Sequence, residues 1–174
     1  MEDAELYAIA SRSKANTALF SGLYPAALQY NNYEALVQNP DIDVIYIATP
    51  HGLHYDHTLL CIRHGKAVLC EKAFALNARQ AAAMIAAAKT RQVFLMEALW
   101  SKFTAPWQKM MEMIRNGQLG EIKNVLINFG FIPQAPVADR IYNSALGGGT
   151  LLDIGIYNVF YALSALGKPD HIEA

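Results

Sequence analysis

Residues 43–48 read Asp-Val-Ile-Tyr-Ile-Ala, and this stretch decides the fold class. It is rich in β-branched residues and almost wholly apolar, which is typical of a central parallel strand buried on both faces. Other short apolar runs lie at residues 6–10, 67–70 and 93–96. Helical patterns separate these runs, at residues 14–23, 33–38, 53–63 and 77–89. Strands and helices that alternate in this way predict an α/β fold with a doubly wound parallel sheet.

The regular alternation of predicted strands and helices ends after Trp100. The sequence there predicts a helix from Pro106 to Asn116, a longer strand over 121–131, an irregular stretch over 132–147 and a last helix over 150–166. We therefore expect two units, a parallel-sheet domain over residues 1–102 and the start of an α+β domain over residues 103–174.

The composition narrows the class of protein. The chain has 174 residues, of which 53% are hydrophobic and 17% charged, as in globular domains. Its net charge of -1 gives no reason to expect a basic surface, so no nucleic-acid partner is expected. The two cysteines, Cys61 and Cys70, lack metal-type spacing and indicate reduced, buried thiols in a cytoplasmic protein. We find no secretory signal, and we expect no membrane span, since no apolar run approaches the roughly 20 residues required.

Polar residues follow three of the predicted strands. These strand ends are Ser11-Arg12-Ser13, Thr49-Pro50-His51 and Glu71-Lys72. Ligands of open parallel sheets bind outside the carboxyl ends of the strands, so the three ends predict one shared crevice. For Glu71-Lys72 alone, a solvated turn is the simpler interpretation.

Four motifs together resemble the Gfo/Idh/MocA family of NAD(P)-dependent oxidoreductases. They are ATPHGLH (48–54), EKA (71–73), MEALWSKF (96–103) and GGGTLLDIGIY (147–157). Within the family, the resemblance is to the branch of dimeric dihydrodiol dehydrogenases and NADP-dependent D-xylose dehydrogenases. It implies that residues 1–102 are a partial Rossmann-type, dinucleotide-binding domain. It also implies that residues 103–174 begin a substrate and dimerisation domain with a mostly antiparallel sheet.

The resemblance also implies roles for particular residues. Lys72, Asp153 and Tyr157 would be catalytic, with Tyr157 exchanging a proton with the substrate oxygen. The residues that would bind the cofactor are Ser11, Arg12, Ser13, Thr49, Pro50, His54, Glu71, Lys72 and Trp100. Ala73 stands where the family usually has proline, and because proline fixes φ, we expect a looser turn after Lys72.

Simpler interpretations exist for several of these residues. Thr150 to Asp153 has the spacing of a helix capping box, and Tyr157 could be an ordinary half-buried aromatic. His51, His54 and His57 recur every three residues, as metal ligands can. No acidic or thiolate pattern accompanies them, so we predict no metal site. His54 would face the nicotinamide by resemblance, and His51 and His57 are expected at the surface.

The cofactor prediction rests on residues 11–13, which follow the predicted strand at residues 6–10. NAD-binding sheets usually carry an acidic residue at the end of their second strand for the ribose hydroxyls. Here Ser11 takes that place, followed by Arg12 and Ser13, and these residues suit a 2′-phosphate. NADP is therefore favoured over NAD. The sequence has no G-x-G-x-x-G, and the family's first strand, glycine loop and first helix would precede Leu6. We therefore expect a chain truncated at both ends that binds NADP(H) weakly.

Three functions stay open at this point. The first is an NADP-dependent oxidoreductase acting on a secondary alcohol of a sugar, polyol or trans-dihydrodiol. The second is a non-catalytic protein that binds a nucleotide or sugar, and the third is an inert truncated product. Since an incomplete sheet exposes edges, we also expect a homo-oligomer.

Overall fold

The computed structural model describes residues 3–132, 134 and 140–173. Its strands are β1 (Ala8–Ala10), β2 (Leu28–Tyr30), β3 (Val44–Ile47), β4 (Ala67–Glu71) and β5 (Leu95–Ala98). Its α-helices are α1 (Lys14–Leu23), α2 (Tyr33–Gln38), α3 (His54–Arg63), α4 (Ala78–Arg91), α5 (Ala105–Arg115) and α6 (Ile156–Leu166). Short 3₁₀ turns lie at His51–Leu53, Trp100–Phe103, Arg140–Tyr142 and Ser144–Leu146, and a π-helical turn, Leu151–Gly155, leads into α6.

All strand pairs are parallel. β1 pairs with β2, and β3, β4 and β5 form a second sheet in that order. The predicted α/β class with parallel strands is thus confirmed. β2, a three-residue strand of sequence LQY, was not predicted from the sequence.

β3, which lies within residues 43–48, is buried on one face only. Ile45 and Ile47 lie in the core, but Val44 and Tyr46 are 54% and 55% exposed. The expectation of burial on both faces is therefore wrong. The reason is that the helices of the core cover the face that carries Ile45 and Ile47, while the described residues leave the face of Val44 and Tyr46 exposed.

The core lies where α2, α3 and α4 pack on the β3–β4–β5 sheet. Its buried side chains are Val37, Ile42, Ile45, Ile47, Cys61, Ile62, Val68, Cys70 and Ala88. Asn77 caps α4, and its Oδ1 accepts the Gln80 N–H at 3.0 Å. Lys66 is also buried, and its ammonium donates to the carbonyl oxygens of Asn39 and Ile42 at 2.5 and 2.8 Å. Lys66 therefore ties the start of β4 to the loop between α2 and β3.

The segment after Trp100 is organised around α5 and α6. Trp107 of α5 packs against Phe160 and Tyr161 of α6, with ring centroids 5.0 and 4.8 Å apart. The strand predicted over 121–131 is wrong, because a strand needs a neighbour for its ladder and the described residues after Ala98 provide none. Much of the predicted irregular stretch, 132–147, lies outside the described residues.

One helical segment of the described residues, Ser144–Leu166, is long and apolar enough to cross a membrane by length and composition. It has 23 residues and a mean hydropathy of 1.3, so the expectation that no segment would qualify is wrong on those criteria. Helices of soluble proteins can pass the same test. This one contains Asp153, which is paired with Lys72, and it packs on Trp107. Those contacts tie it to the rest of the protein.

Candidate active site

Lys72 lies just past the tip of β4 and reaches across to the π-helical turn. Its Nζ donates to the Asp153 backbone oxygen and to Asp153 Oδ1, the latter at 3.2 Å. Both side chains are only 17% exposed. A partly buried ion pair of this kind resists screening by salt better than a surface pair does. The end of β4 and the start of α6, far apart in sequence, therefore meet at one point.

Asp153 is held by its own backbone rather than by a capping box. Its N–H donates to the Gly149 oxygen at 3.1 Å, while the Thr150 side chain makes no capping hydrogen bond. The capping-box interpretation is therefore wrong, and the carboxylate is directed to Lys72 instead.

Tyr157 lies one helical turn after Asp153, on the same side. The Lys72 Nζ is 5.2 Å from the centre of its ring. The indole N–H of Trp100 donates to the Tyr157 hydroxyl oxygen at 3.1 Å. Phe129 packs edge-on against the same ring, at 5.7 Å between centroids. The phenol is thus oriented by two aromatic neighbours and keeps its own proton to donate.

Glu71 fixes the backbone at the strand tip. Its Oε2 accepts the Lys72 N–H at 3.0 Å, and its Oε1 accepts the Tyr46 hydroxyl. Burial, followed by the hydrogen bond to Glu71, raises the pKa of Tyr46 to about 12, so the hydroxyl stays protonated and remains a donor. Glu71 therefore orients the main chain at Lys72.

A small cavity of about 120 Å³ opens beside the ammonium. It is lined by Ala48, Thr49, His51, Glu71, Lys72 and Arg140. Arg140 Nη1 lies 4.0 Å from Asp153 Oδ1, so a second cation shares that carboxylate. Arg140 is not among the site residues predicted from the sequence, because no motif marks a lone arginine in an irregular stretch.

The three consecutive glycines let the loop before Asp153 fold closely. At Gly147, φ is +76°, and a Cβ would lie 2.8 Å from His51 Cβ. At Gly148, a Cβ would lie 2.4 Å from the Arg140 carbonyl oxygen. These close approaches explain why small residues are needed here, and they are contacts within the protein itself.

The histidines do not share one role. His51 is 5% exposed, and its Nδ1 lies 3.0 Å from the Gly147 oxygen, so the expectation of a surface position is wrong. His57 is partly buried beside Tyr33 and contacts the Thr49 hydroxyl at 3.0 Å. His54 is fully buried, so its ring does not line the crevice. Among the residues that the structure describes, no group of three His, Cys, Asp or Glu is arranged to hold a metal ion.

The end of β1 lies near these histidines. Ser11 Oγ accepts the Ser13 N–H at 3.1 Å, and Ser13 Oγ caps α1. Arg12 is exposed. Burial, followed by the nearby Arg12 guanidinium, lowers the pKa of His57. Arg12 therefore lies on the side of the sheet where β3 and its Thr49-Pro50 end also emerge.

A larger cleft of about 560 Å³ lies between α4 and β5. It is lined mainly by apolar side chains, among them Phe74, Ile85, Phe94 and Leu95. None of the predicted site residues lines it, whereas Thr49, Glu71 and Lys72 line the smaller cavity.

The arrangement around Lys72 can stabilise an oxygen that carries negative charge. An ammonium has three N–H donors, and two of those on Lys72 are directed at Asp153. The ammonium also lies 5.2 Å from the centre of the Tyr157 ring. A cation beside a phenol can hold an alcohol or carbonyl oxygen while a proton moves.

Comparisons with known proteins show which family the chain resembles. The family model described as "Oxidoreductase family, NAD-binding Rossmann fold" (GFO_IDH_MocA) matches residues 1–99, and the "GFO/IDH/MocA C-terminal domain" matches residues 107–174. A trans-1,2-dihydrobenzene-1,2-diol dehydrogenase of Xenopus laevis is 36% identical over 99% of this chain and 52% of its own length. A D-xylose 1-dehydrogenase (NADP(+)) of Hypocrea jecorina is 34% identical over 93% of this chain and 44% of its own.

Among solved structures, an aldose-aldose oxidoreductase from Caulobacter crescentus, complexed with glycerol, superposes with a TM-score of 0.86. It is 32% identical and is matched over 94% of this chain and 50% of that one. The chain thus spans about half the length of the relatives it matches.

Proposed function

The chain belongs to the Gfo/Idh/MocA family of oxidoreductases, and on that premise we propose that it carries the catalytic residues of an NADP-dependent dehydrogenase acting on a secondary alcohol. The observation that carries the proposal is the placement of the Lys72 ammonium, held by Asp153, beside the Tyr157 phenol. Three polar groups drawn from two distant segments would not otherwise share one partly buried corner.

The residues at the strand ends suit a dinucleotide. Ser11 and Ser13 use their oxygens as acceptors, which leaves each hydroxyl proton free to donate. Exposed Arg12 can contact a 2′-phosphate through its planar guanidinium. Lys72 and Trp100 would border the nicotinamide end. We therefore propose NADP rather than NAD as the cofactor, which when bound supplies the hydride acceptor or donor for the alcohol carbon.

The residues of this chain would divide the remaining work. In reduction, the Tyr157 phenol would give its proton to the carbonyl oxygen and become a phenolate; in oxidation, the phenolate would take the alcohol proton and become a phenol again. The Trp100 N–H, donated to the Tyr157 oxygen, would stabilise the phenolate. Lys72 would stabilise the charge that develops on the substrate oxygen, an interaction strongest in the transition state. Asp153 would hold the ammonium in place.

The proposed substrates are small polyhydroxylated molecules. The relatives named above act on a trans-dihydrodiol and on D-xylose, as their names state, and the Caulobacter crescentus protein is complexed with glycerol. In this chain, Arg140 and His51 line the cavity next to Lys72 and could bind neighbouring hydroxyl groups. A sugar, polyol or trans-dihydrodiol is the substrate class that we propose.

Two further proposals concern the state of the protein. Cys61 and Cys70 are free and buried, which supports a reducing, cytoplasmic location. Apolar side chains on α1 and β3 are exposed, among them Leu19, Leu23, Val44 and Tyr46. That exposure supports self-association.

The test is a turnover assay with a panel of aldoses, polyols and a trans-dihydrodiol. NADP is supplied at a saturating concentration, because the absence of G-x-G-x-x-G from the sequence predicts weak cofactor binding. Lys72→Met keeps the stem and removes the ammonium, and we expect a loss on the order of 100-fold or more in kcat. Tyr157→Phe should give a similar loss. The control is Lys123→Met, since the Lys123 side chain is 75% exposed and forms an ion pair with Glu121, away from the proposed site residues.

Near-normal turnover by Lys72→Met would refute the catalytic role and leave Glu71-Lys72 as a charged turn. Cofactor binding by the parent protein, without turnover of any substrate in the panel, would instead favour a binding protein.

A further inference from the structure

The ring of His54 makes two hydrogen-bond contacts that have no part in the proposed reaction. It is 0% exposed at the start of α3. Its Nδ1 lies 2.7 Å from the Ala73 carbonyl oxygen, and its Nε2 lies 2.7 Å from the Thr49 carbonyl oxygen. Backbone carbonyls only accept hydrogen bonds, so the ring donates to them and both bonds form together in the imidazolium form. In either neutral tautomer one bond remains, and it still anchors a strand end to α3.

The two carbonyls belong to the two strand ends that form the crevice. Thr49 follows β3, and Ala73 directly follows Lys72 at the end of β4. The ladder between these strands ends with the pair Ile47 and Cys70, so neither carbonyl is held by the sheet. Ala73 leaves φ unfixed where a proline would lock it. When its Nδ1 donates, the imidazole therefore ties the residue after Lys72 to the start of α3.

The charged groups around the ring are few. The His51 ring lies 5.6 Å away at 73°, and the Glu71 carboxylate is close enough to favour the imidazolium. His57 is a further neighbour, one turn along α3, that senses the charge of His54. Burial is the largest influence and lowers the pKa of His54, while the two carbonyls act in the opposite direction. Both ring nitrogens of the buried His54 therefore have a hydrogen-bond partner within the protein.

We propose that His54 is a positioning residue for Lys72, joining the end of β3 to the turn after β4 so that the ammonium meets Asp153. The position of the lysine follows from the geometry alone. The consequence for catalysis rests on the proposed function.

The first experiment measures the position of Lys72 without any turnover. Lysine acylation of the folded protein, mapped by mass spectrometry, gives the rates at Lys72 and at Lys66, whose ammonium is buried on two carbonyls elsewhere. In His54→Gln and in His54→Asn we expect the ratio of Lys72 to Lys66 labelling to rise several-fold. His64→Gln is the matched control, because exposed His64 also contacts a carbonyl, that of Leu60 at 3.0 Å. Its ratio should equal that of the parent.

An unchanged ratio in both His54 variants would overturn the proposal, whether both lysines stay protected or both become exposed through general unfolding. The second readout is kinetic, with kcat expected to fall about tenfold and KM for the cofactor to stay within twofold. A fall confined to KM would overturn the positioning role. If the parent shows no turnover, the proposed function fails while the labelling ratio still decides the role of His54.

Discussion

Gly148→Ala should destabilise the loop that delivers Asp153, and the structure gives the size of the effect. An added Cβ would lie 2.4 Å from the Arg140 oxygen, 2.8 Å from the Ile141 oxygen and 2.9 Å from the Asn143 nitrogen, whereas Cβ atoms essentially never approach within 3.0 Å. All three are backbone atoms, so no side chain can rotate away. Forced shifts of this kind cost about 1–3 kcal/mol. For a chain of this length, that lowers Tm by about 2–12 °C.

Gly22→Ala is the control for the substitution itself. Gly22 lies in α1, and a Cβ there would meet nothing within 4 Å. Alanine is the better helix former by about 0.5–1 kcal/mol, so Gly22→Ala should raise Tm by about 1–4 °C. Thermal unfolding followed by tryptophan fluorescence and circular dichroism measures both. If Gly148→Ala were as stable as Gly22→Ala, the loop could not pack on Arg140–Asn143 as described.

Three more outcomes can be checked on the same protein. Burial raises the pKa of both Cys61 and Cys70 to about 12, so neither thiol should react with a disulfide reagent at pH 8 until the protein is unfolded; rapid reaction in the native state would contradict the buried core. Burial also raises the pKa of Glu97, so its contribution to stability is present below the unfolded pKa of about 4.3 and is lost as the pH rises through the folded value. Glu97→Gln should therefore raise Tm at pH 7 but not near pH 4, and an equal gain at both pH values would exclude this cause. Arg12→Ala should weaken NADP binding by about tenfold or more and leave NAD binding nearly unchanged, as titration with each cofactor would show; equal losses would mean that Arg12 does not contact the 2′-phosphate.

The strands that carry the site could be predicted because each is an apolar run that ends in polar residues. Glu71-Lys72 closes such a run, and Asn77 marks the following helix by its capping chemistry. β2 could not be found, because Leu28–Tyr30 has only three residues, too few for its alternation of apolar and polar side chains to stand out. The strand expected over 121–131 failed for the opposite reason. Its apolar residues suit a strand, but strand formation also depends on a partner that local sequence does not reveal.

The family resemblance implied the roles of Asp153 and Tyr157, and sequence spacing predicted only that the two share a helical face. Asp153 and Tyr157 are four residues apart, which places them on one helical face. Nothing local indicates that Trp100 donates to Tyr157, or that Arg140 shares the Asp153 carboxylate, since both contacts depend on how the two halves pack. The burial of His54 was likewise invisible, because the two carbonyls that accept from it become neighbours only when β3 and β4 pair.

The separation of Lys72 from Asp153 also affects how the protein is made. The two residues are 81 positions apart in the chain. At roughly 5–20 residues per second, a ribosome adds Asp153 about 4–16 s after Lys72. Parallel strands and helices of the first domain have time to pair in that interval, while the ammonium still lacks its carboxylate. The tip of β4 is therefore shaped first by its own neighbours, Glu71 and the ring of His54, and Asp153 docks on a nascent structure that already exists.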